Sequence, residues 1–203
     1  MEQRKQCREL VLASASPRRR EILSQLGVQF RVLPSGIDER LLPGETPDQH
    51  VQRLAREKAV EVRERLRAEA TCPVIVAADT LVLIDDQVLG KPDNDDEAVA
   101  MLLRLSGRTH RVLTALALCE VGCDRAELRL FQTDVEFRKL TADMARAYVA
   151  SGEGRDKAGS YAIQGIGAGL VHEIRGSYSN VVGMPAAETI DLLLGAGVLV
   201  AWP

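Results

Sequence analysis

Strand-like runs alternate with capped helical segments at both ends of this chain, and two long strand-like runs lie between them. "ELVLA" (Glu9 to Ala13) reads as a short buried strand, and Ser16-Pro17 carries the N-cap and first-turn signature of a helix that closes at Gly27. "VQFRVL" (Val28 to Leu33) alternates like a strand, and the polar loop "PSGIDERLLPGE" follows. Thr46-Pro47 opens a long helix to about Ala70, with Val51, Leu54, Ala55, Val62 and Leu66 near helical period. Val74 to Ala78 is a fully apolar strand, and Leu81 to Leu89 reads as a hairpin around Asp85-Asp86. Asn94 caps an acidic-first helix ended by Gly107. Thr109 to Val121 and Glu127 to Leu140 read as a long antiparallel pair. "TADMARAYVASGE" is a capped helix; a glycine-rich region, Gly154 to Gly183, and a last helix, about Pro185 to Gly195, complete the chain. This order predicts an α/β fold with a long mixed sheet and flanking helices rather than a purely parallel sheet. No repeat or obvious linker interrupts it, so residues 1–203 are expected to form one domain, in two lobes at most.

Composition narrows the function. Aromatics make up 3% of 203 residues, too few for a platform on which single-stranded nucleic acid stacks. With 26 basic and 29 acidic residues the net charge is -3, without the basic excess of a general nucleic-acid binder. No run of about 18 apolar residues and no secretory leader is evident, so a soluble, cytoplasmic protein without a membrane partner is expected. Cys7, Cys72, Cys119 and Cys123 form no C-x-x-C pair and read as reduced thiols.

Several stretches can carry chemistry. In "LVLASASPRRREIL" a strand end meets a helix start, where backbone N–H groups and the helix dipole favour an anion. Arg18 and Arg19 there oppose the dipole, which points to a phosphate held with Ser14 and Ser16; a solvated arginine turn costs only tenths of a kcal/mol and stays open as the alternative. Asp79 ends the most apolar strand, where open α/β sheets collect ligands, and can serve as a general base or metal ligand. Lys91 follows the hairpin and can return to the same place. Asp38 and Glu39 are loop carboxylates, and Lys58, on a helix, reads as a surface residue by default. Gly165, Gly167 and Gly169 lack the G-x-G-x-x-G spacing of a dinucleotide site and serve close backbone approach instead. Gln164 beside them can donate and accept at once, matching the adjacent N–H and C=O of a uracil-type ring. His50, His110 and His172 have neither metal spacing nor a nucleophile partner.

Together, "LASASPRRREIL", "AREKA", "AADTLVLIDDQVLGKP", "LSGRTHRVLTALAL" and "DKAGSYAIQGIGAGLVHEIRGSYSNVVGMP" resemble the Maf family of nucleoside triphosphate pyrophosphatases, from about Leu10 to Leu194. The resemblance implies a fold akin to that of the inosine triphosphate pyrophosphatases, with a deep cleft between two lobes. It also implies metal-dependent cleavage between the α- and β-phosphates. "SYAIQG" looks like the branch acting on dTTP and UTP rather than the one acting on 7-methyl-GTP. By that likeness Asp79 is the proton acceptor, and Arg18, Thr80 and Gln164 sit at the positions that separate the branches. Ser14, Arg19, Glu39, Lys58 and Lys91 match the residues lining the phosphate and metal region. Ala15 departs from the glycine of many relatives, which bears on loop geometry rather than activity.

The expected reaction is metal-assisted attack of water on the α-phosphorus of a nucleoside triphosphate, normal or modified. Asp79 and Glu39, with Asp38 as a further candidate, are the expected ligands of Mg²⁺ or Mn²⁺, with Co²⁺ a third option. Arg18, Arg19, Lys58 and Lys91 are expected to neutralise the triphosphate, and Arg20 to face solvent. The rival reading is a non-catalytic nucleotide-binding regulator of septum formation. A homodimer is left open.

Overall fold

The computed structural model describes residues 6–202. In chain order the elements are β1 (Leu10–Leu12), α1 (Pro17–Gln25), β2 (Arg31–Val32), α2 (Pro47–Arg65), β3 (Val74–Ile84), β4 (Gln87–Leu89), α3 (Asp95–Leu105), β5 (Thr109–Glu120), β6 (Ala126–Phe137), α4 (Ala142–Ala150), β7 (Val171–Arg175), α5 (Tyr178–Val182) and α6 (Ala186–Gly195). Short 3-10 turns cover Ala158–Ser160 and Gly165–Leu170. The strands form a seven-stranded sheet in the order β2-β1-β3-β5-β6-β7, with β4 on β3. β1 runs parallel to both β2 and β3, whereas β3–β4 and β6–β7 are antiparallel. The expected mixed α/β sheet is present.

The described residues fall into two compact units. The first comprises the chain through Asp79, Thr114–Phe131 and the segment from Gly183 onward. Its core follows from the apolar runs: Leu10–Leu12 pair residue by residue with Val74–Val76, and all six are fully buried. Strands hidden on both faces cannot alternate apolar with polar, which is why these runs are continuous. Thr46 starts α2 with a reciprocal capping box to Gln49. The helix buries Val51, Leu54, Ala55, Ala59 and Val62. It stops at Arg65, short of the expected Ala70, although "LRAEA" is a good helix former. The Leu66 N–H is shared between Val62 O and Arg63 O at 3.1 Å each, and the Arg67 and Glu69 N–H groups bond Glu64 O and Leu66 O in 3-10 fashion, so the helix tightens and ends there.

The second unit comprises Thr80–Leu113 and Gln132–Val182. Asn94 and Thr141 cap α3 and α4 with side-chain oxygens, and α3 packs against α4 and the Ala158–Ser160 turn. In the same unit His110, Phe137 and Tyr161 meet edge to face, with ring centroids 4.8–5.3 Å apart. Among the described residues no helix is long and apolar enough to cross a membrane. All four cysteines are free thiols.

Candidate active site

Lys58 anchors the polar cluster of the first unit. It stands on the buried stripe of α2, seven residues after Val51 and four before Val62, so its ammonium is carried inward. The default surface reading of this lysine is therefore corrected: the residue is 7% exposed. Nζ donates to Asp79 Oδ1 at 2.7 Å and to Glu39 Oε1 at 2.6 Å. The expectation that Asp79 ends its strand is corrected: β3 continues through it to Ile84, and Asp79, itself 6% exposed, stands mid-strand after the apolar run Val74–Ala78. Glu39 reaches in from the loop before α2 and keeps a 58% exposed side chain. A carboxylate as hidden as Asp79 persists only with a partner, and Lys58 supplies it.

The arginine segment lies in the same unit. Ala13 N–H bonds Val76 O at 2.8 Å, ending β1 beside β3, and Ser16 then takes the extended N-cap conformation before Pro17. Ser16 makes no side-chain cap; its N–H instead donates to Ser14 Oγ at 3.2 Å. The first turn of α1 holds no acidic residue and the arginines stand in it, so its dipole is left uncompensated by the chain. Arg19 donates through Nη1 to Ser14 Oγ at 3.1 Å and through Nε to Gly183 O at 2.9 Å. Burial pushes the Arg19 guanidinium below its usual value, while the charges of Asp79 and Glu39 push it back up. Ser14, Arg19, Glu39, Lys58 and Asp79 thus form one group of two cations, two carboxylates and a hydroxyl. Arg18 is half-buried and Arg20 exposed. The Gly183 carbonyl had no signal in sequence, because a main-chain acceptor leaves none.

Thr80, Lys91 and Gln164 belong to the second unit. Thr80 is half-buried, and its side chain leaves β3 on the face opposite to that of Asp79. Lys91 is exposed and follows Gly90, whose carbonyl accepts the Gly159 N–H at 3.0 Å. That bond sets the end of the hairpin beside the Ala158–Ser160 turn. Gln164 is half-buried at the start of the Gly165–Leu170 turn, directly after the buried Tyr161, Ala162 and Ile163.

The donor chemistry fits a hard divalent cation. Asp79 and Glu39 both bond the Lys58 ammonium, so two hard carboxylate donors lie close together, the donor type that Mg²⁺ or Mn²⁺ takes. Asp38 is directed elsewhere: its carboxylate accepts Arg40 Nε at 2.6 Å and the Arg40 N–H at 3.0 Å. Among the described residues no three His, Cys, Asp or Glu side chains gather into a closed cage. Two carboxylates alone would need phosphate oxygens and water to complete a cation's coordination.

Comparison with known proteins supplies the relationship. A protein named dTTP/UTP pyrophosphatase from Pseudoalteromonas atlantica is 52% identical over 91% of this chain and 95% of its own length. Proteins of the same name from Alcanivorax borkumensis and Methylobacillus flagellatus are each 48% identical, over 93% and 94% of this chain and 96% and 94% of their own lengths. A solved structure titled as that of the Staphylococcus aureus Ham1 protein overlaps 64% of this chain and 72% of its own, with a TM-score of 0.41 at 14% identity, too slight a likeness to carry the fold. The profile of the family described as Maf-like protein matches residues 9–196, through both compact units, and the chain belongs to that family.

Proposed function

We propose that this chain is a nucleoside triphosphate pyrophosphatase that hydrolyses dTTP and UTP to the nucleoside monophosphate and pyrophosphate. The observation that carries the reading is the Lys58–Asp79 pair, buried beside Arg19 and Ser14. A carboxylate among cations weakens simple anion binding, so its retention calls for a chemical task. The near-half identity to relatives named for this activity supports the same reading. It disfavours a purely regulatory nucleotide binder acting in septum formation. We read the whole chain as one family domain and place it in the cytoplasm, where free thiols persist.

Water attacks the α-phosphorus. A new P–O bond forms to the water oxygen while the bridging bond to the β-phosphate breaks, and pyrophosphate departs with the electron pair. Asp79 orients the water and takes its proton. Arg18, Arg19, Lys58 and Lys91 neutralise the charge that builds on the leaving group, and the Ser14 and Ser16 segment receives phosphate oxygens. Gln164 reads the N–H and C=O of the base, with Thr80 and Arg18 shaping that choice. Mg²⁺ or Mn²⁺, with Co²⁺ as a substitute, would be held by Asp79 and Glu39 and would supply charge neutralisation at the phosphates.

The test is pyrophosphate release across a panel of nucleoside triphosphates with Mg²⁺, Mn²⁺ or Co²⁺, run on the wild type and on Asp79→Asn. Turnover of dTTP and UTP that collapses in the variant is expected. Tight nucleotide binding without turnover under every metal would overturn the enzymatic reading.

A further inference from the structure

We propose that Glu153 and Tyr148 are positioning residues that hold the Gln164 loop in its base-reading geometry, an inference that rests on the role assigned to Gln164 above. Both flanks of Gln164 are fastened to this pair. Glu153 Oε1 accepts the Ile166 N–H at 2.9 Å, and Oε2 accepts the Gly167 N–H at 2.8 Å. Tyr148 donates its hydroxyl to Glu153 Oε2 at 2.9 Å and accepts the Ala162 N–H at 3.0 Å. The main chain is thus pinned two residues before Gln164 and again two and three residues after it.

The same contacts account for Gly165 and Gly167, two of the three glycines that read only as permissive in sequence; Gly169 has open space around it. A Cβ on Gly165, where φ is +64°, would lie 2.0 Å from Glu153 Oε1. A Cβ on Gly167 would lie 2.0 Å from Ala162 O and 2.9 Å from the Tyr148 hydroxyl. The loop has therefore given up side chains to bring its backbone onto a carboxylate and a phenol. A carboxylate suits the task because its two oxygens serve consecutive N–H groups and the hydroxyl together, and charged acceptors make the stronger bonds. Burial opposes its ionisation, yet the N–H groups of Gly167 and Ile166 and the Tyr148 hydroxyl keep Glu153 below the usual carboxylate range. Tyr148 is 4% exposed on α4, and its ring is fixed by packing, so the anchor is stiff. Neither side chain need touch the nucleotide; both act through the main chain on either side of Gln164.

The ratio of kcat/KM for UTP over CTP tests this, since the two bases differ at the edge an amide would read. It should be measured on Tyr148→Phe, which keeps the ring and removes only the hydroxyl, on Glu153→Gln, which leaves one neutral acceptor in place of two anionic ones, and on Gln164→Ala. Thermal stability of each is followed alongside, and assays are run well below the lowest Tm. All three variants are expected to lower the ratio, Glu153→Gln by about tenfold, the loss of roughly 1.4 kcal/mol of discrimination. A lowered Tm with an unchanged ratio in Tyr148→Phe and Glu153→Gln, while Gln164→Ala lowers it, overturns the proposal alone and leaves these residues merely structural. An unchanged ratio in Gln164→Ala overturns the reading of Gln164 and this proposal with it.

Discussion

Lys58 Nζ lies 2.7 Å from Asp79 Oδ1, and both side chains are only 9% exposed. Removing Lys58 takes from Asp79 its hydrogen-bonded cation and leaves it only the charge of Arg19, at a cost of up to about 3–5 kcal/mol. Lys58→Met is therefore expected to lower the urea midpoint strongly and to lose activity. The double variant Lys58→Met/Asp79→Leu exchanges the pair for apolar groups and should recover most of the stability with none of the turnover. Equal midpoints for the single and double variants would show that the pair carries no such penalty.

Glu39 bonds the same ammonium at 2.6 Å but is 58% exposed, so its pair with Lys58 belongs to the weak surface class. Glu39→Gln should leave Tm almost unchanged. If Glu39 supplies half of the anionic donors to a divalent cation, the same variant should raise the Mn²⁺ concentration needed for half-maximal pyrophosphate release by about tenfold, the loss of one charged contact. Chelator titration of both proteins gives the comparison.

The sheet was legible because strand and helix periods alternate. Asp79 was legible only in part: it follows the apolar run Val74–Ala78, but β3 continues past it to Ile84, because a single buried carboxylate with a partner does not end a strand. Lys58 was half legible. Its spacing from Val51 and Val62 puts it on the apolar stripe, but lysine on a helix usually keeps its head in water. The positions of Glu39 and Gln164 could not be read locally. Each sits on a loop fastened by side chains remote in sequence: Arg53 for the first, and Tyr148 and Glu153 for the second. Such contacts leave no periodicity, only a glycine run or an unremarkable helical arginine.

His110 gives a pH dependence with a definite sign. The residue is 1% exposed, its Nε2 lies 2.7 Å from the Tyr161 hydroxyl, and burial pushes its pKa down from 6.5 to about 4, with Asp134 opposing slightly. The unfolded chain therefore binds a proton that the folded one refuses. The stability that neutral His110 permits is complete above about pH 6.5 and is lost as pH falls toward about 4, on the order of 3 kcal/mol in all. His110→Gln, which keeps a partner for Tyr161, should flatten the unfolding free energy across that window. An undiminished slope between pH 6.5 and 4 in the variant assigns the effect to other groups.

Arg53 clamps the loop that carries Glu39. Its Nε donates to Glu45 Oε1 at 2.6 Å, and its Nη2 to Glu45 Oε2 and to the Arg40 carbonyl, each at 2.9 Å. Glu45 also lies 2.9 Å from His50 Nδ1 and accepts the Leu42 N–H at 3.2 Å. Arg53 above all, then His50 and the Leu42 N–H, outweigh burial and hold the Glu45 carboxyl at about 2. With a folded pKa so far below the usual carboxylate value, the clamp is intact above about pH 4.5 and is lost as pH falls toward 2. At neutral pH, Arg53→Ala should free the loop: amide exchange at residues 38–45 rises, and pyrophosphate release falls about tenfold because Glu39 is no longer held near Lys58. Arg53→Lys should not restore either, since a single ammonium cannot span both Glu45 oxygens and the Arg40 carbonyl as the guanidinium fork does. Wild-type exchange across 38–45 in Arg53→Ala would show that the loop is held by other contacts.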